Sequence, residues 1–147
     1  MTGDYSISTD RDRLDLARVH RFLSTEAYWS PGVSREVVER STANSLAFGV
    51  YAPGGEQVGF ARVVTDHATF AWLADVYVEA EHRGRGLGKR LLEAVLSHPD
   101  LAGMRRWMLA TADAHDLYRG FGFHELQRVG RFMIIEGEAA ARMCSGD

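Results

Sequence analysis

The stretch FAWLADVYVEAEHRGRGLGKRLLEAVL, residues 70 to 96, constrains the fold of this chain more than any other. Phe70 to Val78 are nearly continuous in apolar side chains, as a strand covered on both faces requires, and the single acid Asp75 is conspicuous among them. The eight positions from Arg83 to Arg90 then hold three glycines and four basic residues. Leu87, Leu91, Leu92, Val95 and Leu96 make an apolar stripe at helical spacing, which ends before Pro99. The order is strand, glycine loop, helix. A strand that feeds through glycines into a helix leaves backbone N–H groups without partners at the positive end of the helix dipole, and that is an anion site. Glycine lets a phosphate approach the amides, and Arg83, Arg85 and Lys89 add charge around them. A pyrophosphate suits the arrangement better than a carboxylate.

Two phosphate motifs fail on spacing. A P-loop ending on Gly88-Lys89 would need its first glycine at Arg83, and Arg90 stands where Ser or Thr belongs. A dinucleotide fingerprint starting at Gly84 would place its last glycine at Lys89, and it lies past the middle of the chain rather than in an opening βαβ unit.

Around this centre the pattern predicts alternating elements. Thr9 and Asp10 are candidate caps for a first helix carrying Leu16, Val19, Phe22 and Leu23, which runs to about Ser24. Pro31-Gly32 breaks the chain, and Ser34 caps a second helix through about Ser41. SLAFGVY and QVGFARVVT flank Pro53-Gly54-Gly55 and predict an antiparallel hairpin. WMLAT, residues 107 to 111, reads as a strand, a short helix carries Leu117 and Tyr118, and FGFHEL and RFMIIE close the chain as two further strands. The expectation is one domain over residues 1–147 of the α/β (α+β) class, a mixed sheet with helices packed on it.

Composition narrows the function classes. With 46% hydrophobic and 25% charged residues the chain has an ordinary globular composition. No apolar run approaches the ~18 residues of a membrane span. The N-terminus lacks the basic-then-apolar layout of a secretory signal, and a single Cys144 makes no internal disulfide, so the cytoplasm is the expected location. A net charge of -3 argues against general nucleic-acid binding, and Glu79, Glu81 and Glu93 interrupt any basic face around the loop. Six scattered histidines and one cysteine show no ligand spacing, and no metal is expected.

Arg83-x-x-Gly86-x-Gly88 after a strand ending at Val78 resembles the acetyl-CoA signature of the GCN5-related N-acetyltransferase (GNAT) family. A second family signature is similar to Ala114-His115-Asp116-Leu117-Tyr118 followed by Gly120-Phe121, at the expected distance from the first. The resemblance covers roughly residues 46 to 135. It implies a mostly antiparallel sheet of about six to seven strands flanked by about four helices. It also implies that Arg83, Gly84, Arg85, Gly86, Leu87, Gly88 and Lys89 hold the CoA pyrophosphate, and that the main chain of Val76 and Val78 pairs with the pantetheine arm. By the same resemblance Tyr118 is expected to take the family's general-acid role, protonating the departing thiolate. Thr111 departs from the Asn that many members carry seven residues before the tyrosine.

The resemblance further implies direct transfer of an acetyl group from acetyl-CoA to a primary amine of a small molecule or peptide. No covalent enzyme intermediate is needed, and Cys144, in a polar tail, is a poor nucleophile. Trp107, Met108 and Leu109 offer no base, which leaves Asp75 as the candidate. The same aspartate could equally be satisfied by backbone amides or a buried arginine. Tyr28 and Trp29, before Pro31, are candidates for the acceptor wall or for a core aromatic pair, and the Asp66-His67 turn is a weaker acceptor-side candidate. Tyr118 has a core-aromatic alternative as well. From another class comes a CoA-binding sensor or partner-binding module that transfers nothing. Sheet edges near the C-terminus are compatible with a homodimer.

Overall fold

The computed structural model describes residues 4–143. These fall into two units, one ending at Asp113 and one beginning at Ala114.

In the first unit a five-stranded sheet is built from β1 (Ser6–Ser8), β2 (Leu46–Tyr51), β3 (Gln57–Thr65), β4 (Phe70–Val78) and β5 (Arg106–Met108), in that spatial order. The first four strands pair antiparallel, and β5 joins β4 parallel. Three helices, α1 (Leu16–Thr25), α2 (Arg35–Ala43) and α3 (Leu87–Leu96), complete the unit. The hairpin forms as its turn residues predict, with the Gly55 N–H donating to the Ala52 carbonyl. Ser34 caps α2, accepting from the Val37 N–H. The cap of α1 differs from expectation. Asp10 accepts from Asp12 in a one-turn 3-10 segment, Arg11–Arg13, and Asp15 caps the helix proper by accepting from the Arg18 N–H. Two cap-type acids lie five residues apart, and the apolar stripe alone does not say which one starts the helix.

Period-2 alternation divides the sheet residues between two faces. On one, Ala47, Phe60 and Tyr77 pack with Val19, Phe22, Leu23 and Ala27 from α1 and its end and with Val38 from α2. Phe22 stacks on Tyr77 with ring centroids 3.8 Å apart and planes 7° from parallel. α3 buries Leu87, Leu91, Leu92 and Val95 against β2 and β4. Phe48 of β2 meets His98, just past the end of α3, edge to face.

The second unit holds α4 (His115–Arg119), a one-turn 3-10 segment at Val129–Arg131 and α5 (Gly137–Arg142). FGFHEL and RFMIIE are not strands among the described residues, which corrects the sequence expectation. Phe132, Met133, Ile134 and Ile135 are all exposed. Their β-propensity reflects fit to a half-buried pleated surface, and without a ladder to join it does not make a strand. The described sheet therefore has five strands rather than six or seven, with five α-helices rather than four. Cys144 lies outside the described residues.

Candidate functional site

β3 and β4 pair along their whole length, but Phe60 faces Tyr77 while Arg62 faces Ala74. Asp75 and Val76 thus stand together opposite the single residue Ala61, a β-bulge. Asp75 adopts a left-handed backbone, φ 55°, a conformation that short polar Asp tolerates better than most residues. β5 pairs with Phe70, Ala71 and Trp72, so from Leu73 onward the outer edge of β4 has no strand partner among the described residues. The Glu79 N–H donates to the Val58 carbonyl, which by antiparallel alternation turns the backbone groups of Val76 and Val78 toward that open edge. These are the two residues for which the family resemblance implies contact with a pantetheine arm.

The glycine loop follows at once. Gly84 and Gly86 lie at φ 79° and 77°, and Gly86 is the N-cap of α3 without a side chain to cap it. The first amides of a ten-residue helix are left facing the loop. Among the described residues, a Cβ at Gly84, Gly86 or Gly88 would meet no atom within 4 Å beyond its chain neighbours and the helix's own backbone, so the approach to the amides is open. Arg83, Arg85 and Lys89 are all exposed around it. One of them is also structural, since Arg83 Nε donates to the Val78 carbonyl at 2.8 Å and ties the loop back to the strand end. Tyr5 clasps both flanks of the loop. Its hydroxyl meets His82 Nδ1 at 2.8 Å, and its carbonyl accepts from the Arg90 guanidinium at 3.1 Å. Sequence reasoning missed Tyr5, which lies 77 and 85 residues away from its partners. An open strand edge running into amides, positive charge and unfilled space fits a long donor chain ending in a pyrophosphate, as acetyl-CoA has.

Asp75 is held, not free. Its Oδ2 accepts from Arg62 Nε at 2.6 Å, and its Oδ1 accepts from Trp29 Nε1 at 2.8 Å. Arg62 also donates to Ser45 Oγ at 3.2 Å. A half-buried arginine and an indole N–H thus satisfy both carboxylate oxygens of this aspartate. Tyr28 and Trp29 follow α1 and stand edge to face, ring centroids 5.0 Å apart and planes 88° from parallel. They are not core residues, being 54% and 42% exposed. The Tyr28 hydroxyl accepts from the Ala112 N–H at 2.8 Å, in the segment after β5. Neither Arg62 nor Ala112 carries a sequence signal that names it, because each enters through a contact with a residue distant in sequence or on a neighbouring strand.

The Asp66 carboxylate is consumed by its own turn. It accepts from the Thr69 hydroxyl and from the backbone of Thr69, Ala68 and Phe70, which hold it well below the usual carboxylate range. That makes the Asp66-His67 turn a self-contained structural piece. In the second unit Tyr118 is buried on α4, edge to face with Phe123 at 5.8 Å, and the Phe123 N–H returns to the Tyr118 carbonyl at 3.2 Å. Thr111 Oγ1 accepts from the Asp113 N–H at 3.4 Å.

The chain matches the family model described as "Acetyltransferase (GNAT) domain" over residues 44–125. It is 33% identical to a provisionally named acetyltransferase of Gibberella zeae over 79% of this chain and 76% of that one. To the aminoglycoside N(6')-acetyltransferase type 1 of Stenotrophomonas maltophilia it is 32% identical over 63% of this chain and 68% of the relative. Several other relatives are longer, and this chain spans 26% to 44% of their length. Among solved structures, a Xanthomonas campestris protein assigned to the same family superposes with a TM-score of 0.89 at 44% identity, over 93% of this chain and 96% of that one. Together with the strand–loop–helix geometry, these similarities make the chain a member of the GNAT family of acetyltransferases, which use acetyl-CoA.

Proposed function

We propose that this protein transfers the acetyl group of acetyl-CoA directly to the nitrogen of a primary amine, on a small molecule or a peptide. The observation that carries the proposal is the unpartnered edge of β4 running into the left-handed glycine loop at the start of α3. Amides from Gly84 to Lys89 bind the pyrophosphate, with Arg85 and Lys89 as counter-charges, and the outward backbone of Val76 and Val78 aligns the pantetheine arm. The Val76 N–H donates toward the acetyl carbonyl and stabilises charge there as the amine attacks. The acyl donor supplies a thioester, so a C–N bond forms while the C–S bond breaks. Tyr118 gives its hydroxyl proton to the departing sulfur and recovers one from solvent. The ammonium proton of the acceptor leaves through water, since for Asp75 to take it would weaken its bond to Arg62.

Free-thiol release from acetyl-CoA across a panel of amines, amino acids and peptides tests the proposal, with Tyr118→Phe beside the wild type. Release with one acceptor class is expected, slowed roughly 10²-fold or more in the variant while acetyl-CoA binding by calorimetry is retained. An equal rate in the variant would remove the general-acid role. Binding without release for any acceptor would favour a CoA-binding module.

A further inference from the structure

The geometry points to Asp75 as a positioning residue. We infer that it fixes Trp29, and with it Tyr28, as an aromatic wall that selects an acceptor amine bearing an aromatic or apolar group. This selectivity rests on the transfer proposed above. Three observations carry it. First, both oxygens of Asp75 are engaged within 2.8 Å, by the indole N–H of Trp29 and the guanidinium of Arg62. Asp75 sits in the β4 bulge beside Val76, so Trp29 is pinned to the strand at the position where its backbone turns to the open edge. Second, Tyr28 is pinned on the other flank, through the Ala112 N–H beyond the end of β5. The pair therefore bridges β4 and the segment after β5, past their last paired residues, Trp72 and Met108. Third, the polar atom of each ring is used in these anchors, while about half of each side chain stays exposed. What the wall presents outward is ring surface, and the carboxylate that anchors it is already paired with Arg62.

Ring surface recognises flat or apolar groups and, more weakly, a single ammonium over a ring face. The left-handed backbone of Asp75 has a consequence for the anchor too, because the bulge aims its short side chain at two partners from separate elements at once.

Three amines separate the outcomes: 2-phenylethylamine, n-butylamine and spermidine, each assayed by thiol release from acetyl-CoA. The wild type is expected to favour 2-phenylethylamine over n-butylamine by about tenfold or more in kcat/KM, the usual discrimination of an apolar pocket. Trp29→Ala should collapse that preference and leave acetyl-CoA affinity unchanged. Asp75→Asn should raise the KM for 2-phenylethylamine and leave kcat within a few fold, whereas a general base would lose roughly 10² to 10⁴ in kcat. A loss of that size with KM unchanged would overturn the positioning role. Faster turnover of spermidine than of 2-phenylethylamine would overturn the acceptor class while leaving amine acetylation intact. Fluorescence titration of wild type and Trp29→Phe with 2-phenylethylamine, in the presence of CoA, reads the wall without turnover. Saturable quenching in the wild type alone is expected. If it occurs without thiol release, the wall stands and the transfer function falls; if neither occurs, the acceptor class is overturned.

Discussion

Asp75 and Gly86 occupy the left-handed region at opposite ends of one run of chain, φ 55° and 77°, and the two positions ask for it in different ways. At Asp75 the side chain is needed, and two hydrogen bonds offset the backbone strain. At Gly86 no side chain is wanted, because this residue opens α3 and its neighbourhood must stay clear. Substitution at Gly86 can therefore be resolved into two effects. Gly86→Ala meets no steric obstacle within the chain, so its cost is the backbone conformation, about 1–2 kcal/mol of stability in urea unfolding. Gly86→Glu should show a similar loss of stability, and in addition a carboxylate over the amides, so that acetyl-CoA binding by calorimetry disappears while the folded baseline is kept. If the glutamate variant binds as well as the alanine one, the pyrophosphate does not sit on these amides.

At the level of elements, α1 is staked to the strand that feeds the loop. Arg18 grips Glu79 with both nitrogens, Nε to Oε2 and an NH2 nitrogen to Oε1, each at 2.8 Å. Glu79 is buried directly after Val78, so its carboxylate has this partner in place of water. Removing one partner strands the other's charge, and Arg18→Ala should destabilise the protein by about 3–5 kcal/mol by chemical denaturation. Arg18→Lys should recover only part of that, because an ammonium cannot make the paired contact. An Arg18→Ala variant as stable as the wild type would show that the pair contributes nothing. The sequence made the elements of this unit legible because each carries its own local period: the alternation of β2 and β3, the apolar run of β4 and the stripe of α3. What joins the elements was not legible. Tyr5 to His82, Arg18 to Glu79, Asp75 to Trp29 and Arg62, and Tyr28 to Ala112 are all long-range contacts whose partners show no mutual signal in one sequence. Asp75 was conspicuous for the right reason, a charge in an apolar strand, but burial of a charge calls for a partner before it implies catalysis. β1 is three residues long and too short for a periodic signal, and RFMIIE shows the converse, a strong strand signal with no strand among the described residues.

For the molecule as a whole, charge is arranged against its own average. The chain carries a net -3, yet the loop from Arg83 to Arg90 concentrates four cations among its eight positions. On the proposed function, a polyanionic donor is thereby drawn to one place on a surface that otherwise does not favour it. Because binding at that place requires the folded loop, acetyl-CoA must stabilise the protein by linkage, about 2.7 kcal/mol at a free concentration near 100 times its Kd. For a chain of 147 residues this corresponds to a rise in Tm of roughly 5–11 °C. Differential scanning fluorimetry with and without acetyl-CoA reads it directly. Raising the salt concentration should shrink the shift, since screening weakens the contacts of exposed Arg85 and Lys89 with phosphate while leaving the apolar core in place. Gly86→Glu should show no shift at any salt concentration. A wild-type shift that is insensitive to salt would mean that the donor is held by its pantetheine arm along β4 rather than by the charged loop, and would move the anchor of binding from the glycines to the strand edge.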